Sequence, residues 1–230
     1  VILLYFIAPK KLKNSALLLS SLVFYGWGEP KYIFLIFFSI IYGWVSGLLT
    51  EKATTKKWKL FWTVSNVVVS IGLLGVFKYA DFFITNFNTV TGLNMALLKL
   101  ALPIGISFYT FQILSYTIDV YRKEVKAQRN LLYLMTYITS FPQLIAGPIV
   151  RYQDVEKQLM KRVYSFDTFA LGIRRFILGL AKKVLIANQL GELCELFKVT
   201  TDVSVLYFWL YAIAFMLHIY FDFSGYSDMA

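Results

Sequence analysis

Two residue types that carry much of enzyme chemistry are nearly missing from this sequence, which has one cysteine, Cys194, and one histidine, His218. A single cysteine excludes an intramolecular disulfide, so packing has to hold the fold. One of each also excludes the usual zinc centres. Cys194 stands between two glutamates in GELCELF, and nearby negative charge disfavours a reactive thiolate. Its expected role is that of a small buried or interfacial residue. Charge is scarce too: 16% of residues are charged and 58% hydrophobic, against about 25% charged in an average soluble domain. The expected solvent is therefore a lipid bilayer. No P-loop, GxGxxG or GxSxG motif is present, and no repeat or low-complexity linker divides the chain. A single membrane-embedded domain over residues 1–230 is the expectation. An apolar start too short to span, before Pro9, and an end inside a polar motif make both termini read as truncated.

What is present in quantity is apolar and aromatic. Hydrophobic runs lie at about 1–8, 15–28, 32–49, 60–80, 97–120, 131–150 and 203–223. Barrel-type alternation is absent, and lipid forces the backbone to satisfy itself, so these read as helices. The net charge is +10. Its lysines and arginines sit between the runs, which is how head-group anchors are placed and not how a nucleic-acid face is built; no nucleic-acid partner is expected. Loops 9–14, 50–59 and 121–130 are rich in Lys and Arg, including Lys10 and Lys11, while 28–31 and 78–99 are poor. Rich loops belong on the cytoplasmic side.

The alternation fails after residue 150, where Arg151, Lys157, Lys161 and Arg162 follow a run that should have crossed. That run, LLYLMTYITSFPQLIAGPIV, carries Pro142 and Gly147-Pro148. Proline removes a helix hydrogen bond and clashes with the turn before it. A broken, re-entrant segment that returns to the cytoplasmic side fits both facts. Residues 169–185 place Phe169, Ile173, Phe176 and Ile177 on one side and Arg174, Arg175, Lys182 and Lys183 on the other. An amphipathic helix in the interface is expected there, with a tilted bundle helix as the alternative. Gly43 and Gly47 form a GxxxG, read as helix packing.

Three stretches place polar groups where lipid would not satisfy them. In LPIGISFYTFQILSYTIDVYR, Gln112, Ser115, Tyr116 and Asp119 share a helical face. That face either bonds helix to helix or lines a path through the protein. In SFPQLIAGPIVRY, Gln143 and Arg151 are candidates beside broken backbone, or structural ties. In IYFDFSGYSDMA, Asp222, Ser224 and Tyr226 follow His218. His218 and Asp222 are i, i+4 neighbours and can pair across one turn, with Asp222 orienting His218 as a general base, although a lone His near a helix end is more often a satisfied hydrogen-bonder.

Four of these stretches, FYGWGEPKY (24–32), LPIGISFYTFQILSYTIDVYR (102–122), SFPQLIAGPIVRY (140–152) and YFDFSGYSDMA (220–230), resemble the membrane-bound O-acyltransferase family. They occur in the family's order, and the likeness runs over essentially the whole chain. The FDFSGYSDMA ending resembles the alginate O-acetyltransferase-like branch more than the D-alanyl transfer proteins. The resemblance implies an all-α, polytopic transmembrane protein with a polar tunnel, in a multi-pass cell-membrane location. It implies transfer of an acyl group, usually acetyl, from a cytoplasmic thioester such as acetyl-CoA towards an exported polysaccharide. An extracytoplasmic acetyltransferase partner is implied as well, with no bound cofactor or metal. It places the family's invariant His downstream of the GYSD motif. No catalytic residue is therefore expected within 1–230, which should be inactive alone. Gln112, Asp119, Gln143, Arg151, Asp222, Ser224 and Tyr226 are expected to line or shape the tunnel. A transporter and an inactive scaffold homologue are the alternative readings.

Overall fold

The computed structural model describes residues 2–9, 12–144, 147, 150–160, 165–200 and 204–230. The expectations placed on Lys10, Lys11, Pro148, Lys161 and Arg162 lie outside the described residues. The regular structure of the described residues is all helical, with no strand: α1 (Ile2–Ile7), α2 (Lys13–Gly28), α3 (Ile33–Lys52), α4 (Lys56–Thr91), α5 (Ile106–Arg122), α6 (Leu131–Ile138), α7 (Phe141–Leu144), α8 (Tyr152–Met160), α9 (Phe166–Ala181), a π-helical segment Lys182–Ala187, α10 (Asn188–Val199) and α11 (Val205–Met229). Of these, α3, α4 and α11 are long and apolar enough to cross a membrane. The all-α, membrane-spanning expectation is borne out.

Two compact units form, one from residues 1–145 and 149–162, the other from 146–148 and 163–230.

The first unit is a helix bundle. Thr55 caps α4 by accepting from the Trp58 amide, and Asn130 caps α6 by accepting from Leu132. Such side chains satisfy amides that a helix leaves unpaired in its first turn. The α3–α5 contact uses the GxxxG as expected: a Cβ on Gly43 would sit 2.5 Å from Ile113 Cγ2, and one on Gly47 2.9 Å from Tyr116 Cε1. Between α4 and α5, Asn66 Nδ2 donates to Thr117 Oγ1 at 2.7 Å.

The apolar runs mark the helices but not their ends. The α4 helix does not stop near residue 80; it runs on to Thr91, 36 residues in all, and Gly92, with a φ of +73°, closes it. Nothing between Lys78 and Thr91 breaks a helix, and glycine is the residue that takes the left-handed closing conformation without strain. The run at 97–120 becomes helical only at Ile106.

Two of the basic-rich loops, 50–59 and 121–130, meet at one end of this unit. Glu51, at the end of α3, accepts from the Ala127 amide and pairs with Arg129 at 2.6 Å. Trp44 Nε1 donates to the Gln128 carbonyl at 2.7 Å. Asn14 Nδ2, at the start of α2, donates to the Leu159 carbonyl at 3.0 Å.

The broken segment enters and leaves at this same end. The α6 helix starts beside Gln128, stops at Ile138, and gives way to the short α7. Pro142 sits in the first turn of α7, where its missing amide costs nothing; a continuous helix would have driven its ring against the Ile138 carbonyl. At the far end of α7, Leu144 packs on Gly105, the start of α5. By Val150, whose carbonyl accepts from the Tyr137 hydroxyl, the chain has turned back. Tyr152 then reaches Gln128.

The second unit carries α9, the π segment, α10 and α11. The helix expected over 169–185 runs unbroken from Phe166 to Val199, through the π segment. Ser165 caps α9 and Ser204 caps α11. Cys194 is buried, as its neighbours predicted. Gly179 and Gly225 are in backbone contact: a Cβ on Gly179 would lie 2.5 Å from the Gly225 carbonyl.

Candidate functional site

In the first unit the polar face predicted on α5 turns inward. Gln112, Tyr116 and Asp119 are 1%, 0% and 5% exposed. Tyr116 accepts from the Gln128 amide at 2.9 Å. Gln112 Oε1 and Asp119 Oδ2 are buried and have no hydrogen-bond partner among the described residues. The hydroxyls of Tyr109, one turn before Gln112, and of Tyr25 on α2 share that condition. A buried polar atom without a partner is costly and rare in native proteins. Gln112 Oε1 and Asp119 Oδ2 are acceptors, and the hydroxyls of Tyr25 and Tyr109 lie close enough to interact with each other. Helix-to-helix hydrogen bonding, the simpler reading of this face, accounts for neither: Tyr116 bonds the loop residue Gln128, and Gln112 Oε1 has no partner among the described residues.

The other predicted residues of this unit lie nearby. Arg151 is exposed, and its charge and that of Arg122 act on Asp119. Gln143 is half-buried on α7. Sequence reasoning missed Gln128 and Tyr152. Gln128 Nε2 donates to the Tyr152 hydroxyl at 2.6 Å. Tyr152 follows the broken segment, and burial pushes its hydroxyl up to about 12. It therefore stays protonated at any physiological pH.

In the second unit the predicted residues come together differently from expectation. Asp222 does not orient His218. It pairs instead with the Lys183 ammonium. Lys182 donates to Ser224 Oγ at 2.9 Å and to Asp228 Oδ2 at 2.6 Å. Consecutive residues of an α-helix point about 100° apart and do not face one partner. Here the π segment begins at Lys182, and both lysines are presented to α11. Lys182 and Lys183 are thus not part of a free basic face, as the amphipathic pattern predicted; the carboxylates on the apolar α11 hold them. Two adjacent lysines in an otherwise apolar stretch, ahead of two aspartates in another, were the available signal.

His218 is a satisfied hydrogen-bonder: Nδ1 lies 2.7 Å from the Ala187 carbonyl, so that nitrogen carries the proton. Gly191 makes room for the ring, its missing Cβ falling 3.0 Å from His218 Cε1. Tyr226 lines a cavity of about 150 Å³ with Lys183, Asp222, Phe223 and Met229. Among the described residues, no group of His, Cys, Asp and Glu is arranged to hold a metal.

No family model matches the chain. Individual relatives do. "Probable alginate O-acetylase AlgI" of Pseudomonas aeruginosa is 38% identical over 99% of this chain and 45% of its own length. "Peptidoglycan O-acetyltransferase" of Helicobacter pylori is 32% identical over 98% of this chain and 49% of its own. "Teichoic acid D-alanyltransferase" of Bacillus subtilis is 29% identical over 55% of this chain and 33% of its own. The chain spans about half the length of the first two. The shorter, weaker match to the D-alanyl protein is the order that the FDFSGYSDMA ending implied.

Proposed function

We propose, from the premise that this chain is a homologue of the alginate O-acetylases and resembles the membrane-bound O-acyltransferases throughout, that it is part of an O-acetyltransferase acting on an exported polysaccharide. The carrying observation is that relatives similar over nearly the whole chain are named for O-acetyl transfer while their named acceptors differ, alginate in one and peptidoglycan in the other. The chemistry is what they share, so it is the part that transfers to this chain. The acceptor stays a class, a hydroxyl-bearing exported glycan.

In this reading an acyl thioester such as acetyl-CoA approaches from the cytoplasmic side, where the basic loops of the first unit raise the local concentration of a phosphorylated carrier. An acceptor hydroxyl attacks the thioester carbonyl, directly or after an acyl relay. The carbon–sulfur bond breaks, the ester bond forms, the hydroxyl proton passes to a general base and the thiol leaves. That base is assigned to a histidine outside residues 1–230. Gln112 and Asp119 serve as tunnel lining, with Arg151 and Gln143 beside the re-entrant segment. Within the second unit, Asp222 and Ser224 fix α11 through their bonds to Lys183 and Lys182, and Tyr226 lines the small cavity beside them. The protein is a multi-pass component of the cell membrane and works with an extracytoplasmic acetyltransferase.

The test uses the complete natural protein in source membranes with radiolabelled acetyl-CoA and the source's own polysaccharide. Ester-linked label on the glycan is expected, falling at least tenfold in Gln112→Leu at unchanged protein level. Unchanged glycan acetylation after gene deletion overturns the reading.

A further inference from the structure

The last third of α4 and the chain that follows it are built inside out. No charged residue occurs between Asp81 and Lys99. The polar side chains of the helical part are used up internally. Thr85, Asn86, Thr89 and Thr91 each donate to the carbonyl four residues earlier. Asn88 bonds both the amide and the carbonyl of Met95, at 3.0 and 2.9 Å. The two oxygens of Asp81 accept from the amides of Leu98 and Lys99, at 2.7 and 3.0 Å. The returning segment is thereby clamped against the helix. The large apolar side chains point the other way: Phe83 is 65% exposed and Val90 86%. On that outward side lies an open, apolar groove of about 610 Å³, lined by Phe83, Phe87, Val90 and, from the return, Met95 among others.

Water would reward the opposite arrangement. In water, Thr and Asn need not turn back onto their own helix, and exposed phenylalanines gain nothing. In lipid, internal satisfaction of polar groups is obligatory and outward apolar side chains are favoured. The groove also continues the exposed apolar surface of the spanning part of α4, where Val64, Val68 and Ile71 are 47%, 64% and 52% exposed. Length allows it. Thirty-six residues make a helix of about 54 Å, and a tilt of up to about 40° brings that within the roughly 40–45 Å of a bilayer with its head groups.

We propose that residues 82–98 form an interfacial hairpin in the leaflet opposite the basic loops, and that its groove is filled by lipid acyl chains. The inference does not depend on the acyl-transfer reading. It is tested on the complete natural protein in lipid nanodiscs, with its cysteines replaced by serine and a nitroxide attached to Phe83→Cys, Phe87→Cys or Val90→Cys in turn. Collision with oxygen, which concentrates in lipid, is compared with collision with a water-soluble nickel chelate. Oxygen is expected to exceed nickel severalfold at all three sites, as at a Val68→Cys standard, with the reverse at Lys126→Cys. Nickel exceeding oxygen overturns the proposal, because the hairpin then stands in water. Low rates for both reagents also overturn it, because protein then covers the groove.

Discussion

Gln128 and Tyr152 are joined by a 2.6 Å hydrogen bond that closes the first unit at its basic end. Gln128 makes three further bonds. Its Oε1 accepts from the Asn130 amide at 2.9 Å, its own amide donates to Tyr116, and its carbonyl accepts from Trp44. One residue in a loop thus ties α3, α5, the start of α6 and the start of α8.

Gln128→Leu should therefore be among the most damaging changes in this unit. It keeps the volume but strips the partners from a buried hydroxyl and an amide. Each buried group left unpaired costs about 1–3 kcal/mol. The thermal midpoint in detergent should fall by several degrees, and Gln143→Leu, on the half-buried α7, should barely move it.

Tyr152 gives this tie an alkaline limit. Burial holds its hydroxyl near 12, above the ordinary value of about 10. The raised value favours the neutral form in the fold. Its contribution to stability is complete below about 10 and is lost as pH climbs through about 12. The ultraviolet difference between the natural protein and Tyr152→Phe should show no tyrosinate below pH 11; a signal near pH 10 would contradict the buried hydrogen bond.

Gly105 is where α5 begins against the broken segment. Its φ is +75°, and a Cβ there would lie 2.3 Å from the Leu144 carbonyl. Gly105→Ala meets both a backbone penalty of about 1–3 kcal/mol and an overlap with backbone. Reduced folded yield and a lower midpoint are expected, whereas Gly72→Ala, facing open space, should be neutral or mildly stabilising.

The pair of Lys183 with Asp222 predicts a charge-swap result. Asp222→Asn leaves the lysine without its carboxylate, and both side chains are more than a third exposed. The loss should be modest, about 1 kcal/mol, read as a small midpoint shift. Asp222→Lys should do worse, and Lys183→Asp in the same protein should restore most of it. Additive damage in the double variant would mean that the pair contributes nothing.

The re-entrant segment predicts sidedness. Asp154→Cys and Lys126→Cys should react with an impermeant maleimide from the same face of the membrane, the face opposite to a label at Asn94→Cys. Labelling of position 154 from the Asn94 side would sink the re-entrant path.

Much of this was legible in the sequence. Low charge and long apolar runs fixed the helical class, since lipid leaves few backbone solutions. Pro142 located the break to within a few residues, because the proline ring is incompatible with the carbonyl four before it. The spacing of Gln112, Tyr116 and Asp119 gave the inward face of α5, and the glycines of the GxxxG gave its contact with α3. Tertiary structure alone decided who bonds to whom across the chain. Gln128 and Tyr152 meet because the broken segment folds back, and no local pattern records that return. Lys182 and Lys183 reach α11 through a π-helical segment, whereas the helical wheel had turned them away on the assumption of a regular 3.6-residue period. The far end of α4 fell outside the apolar run at 60–80 because Thr and Asn interrupt its apolar residues; only the folded hairpin shows those polar groups spent on their own backbone, leaving the apolar side chains to face outward.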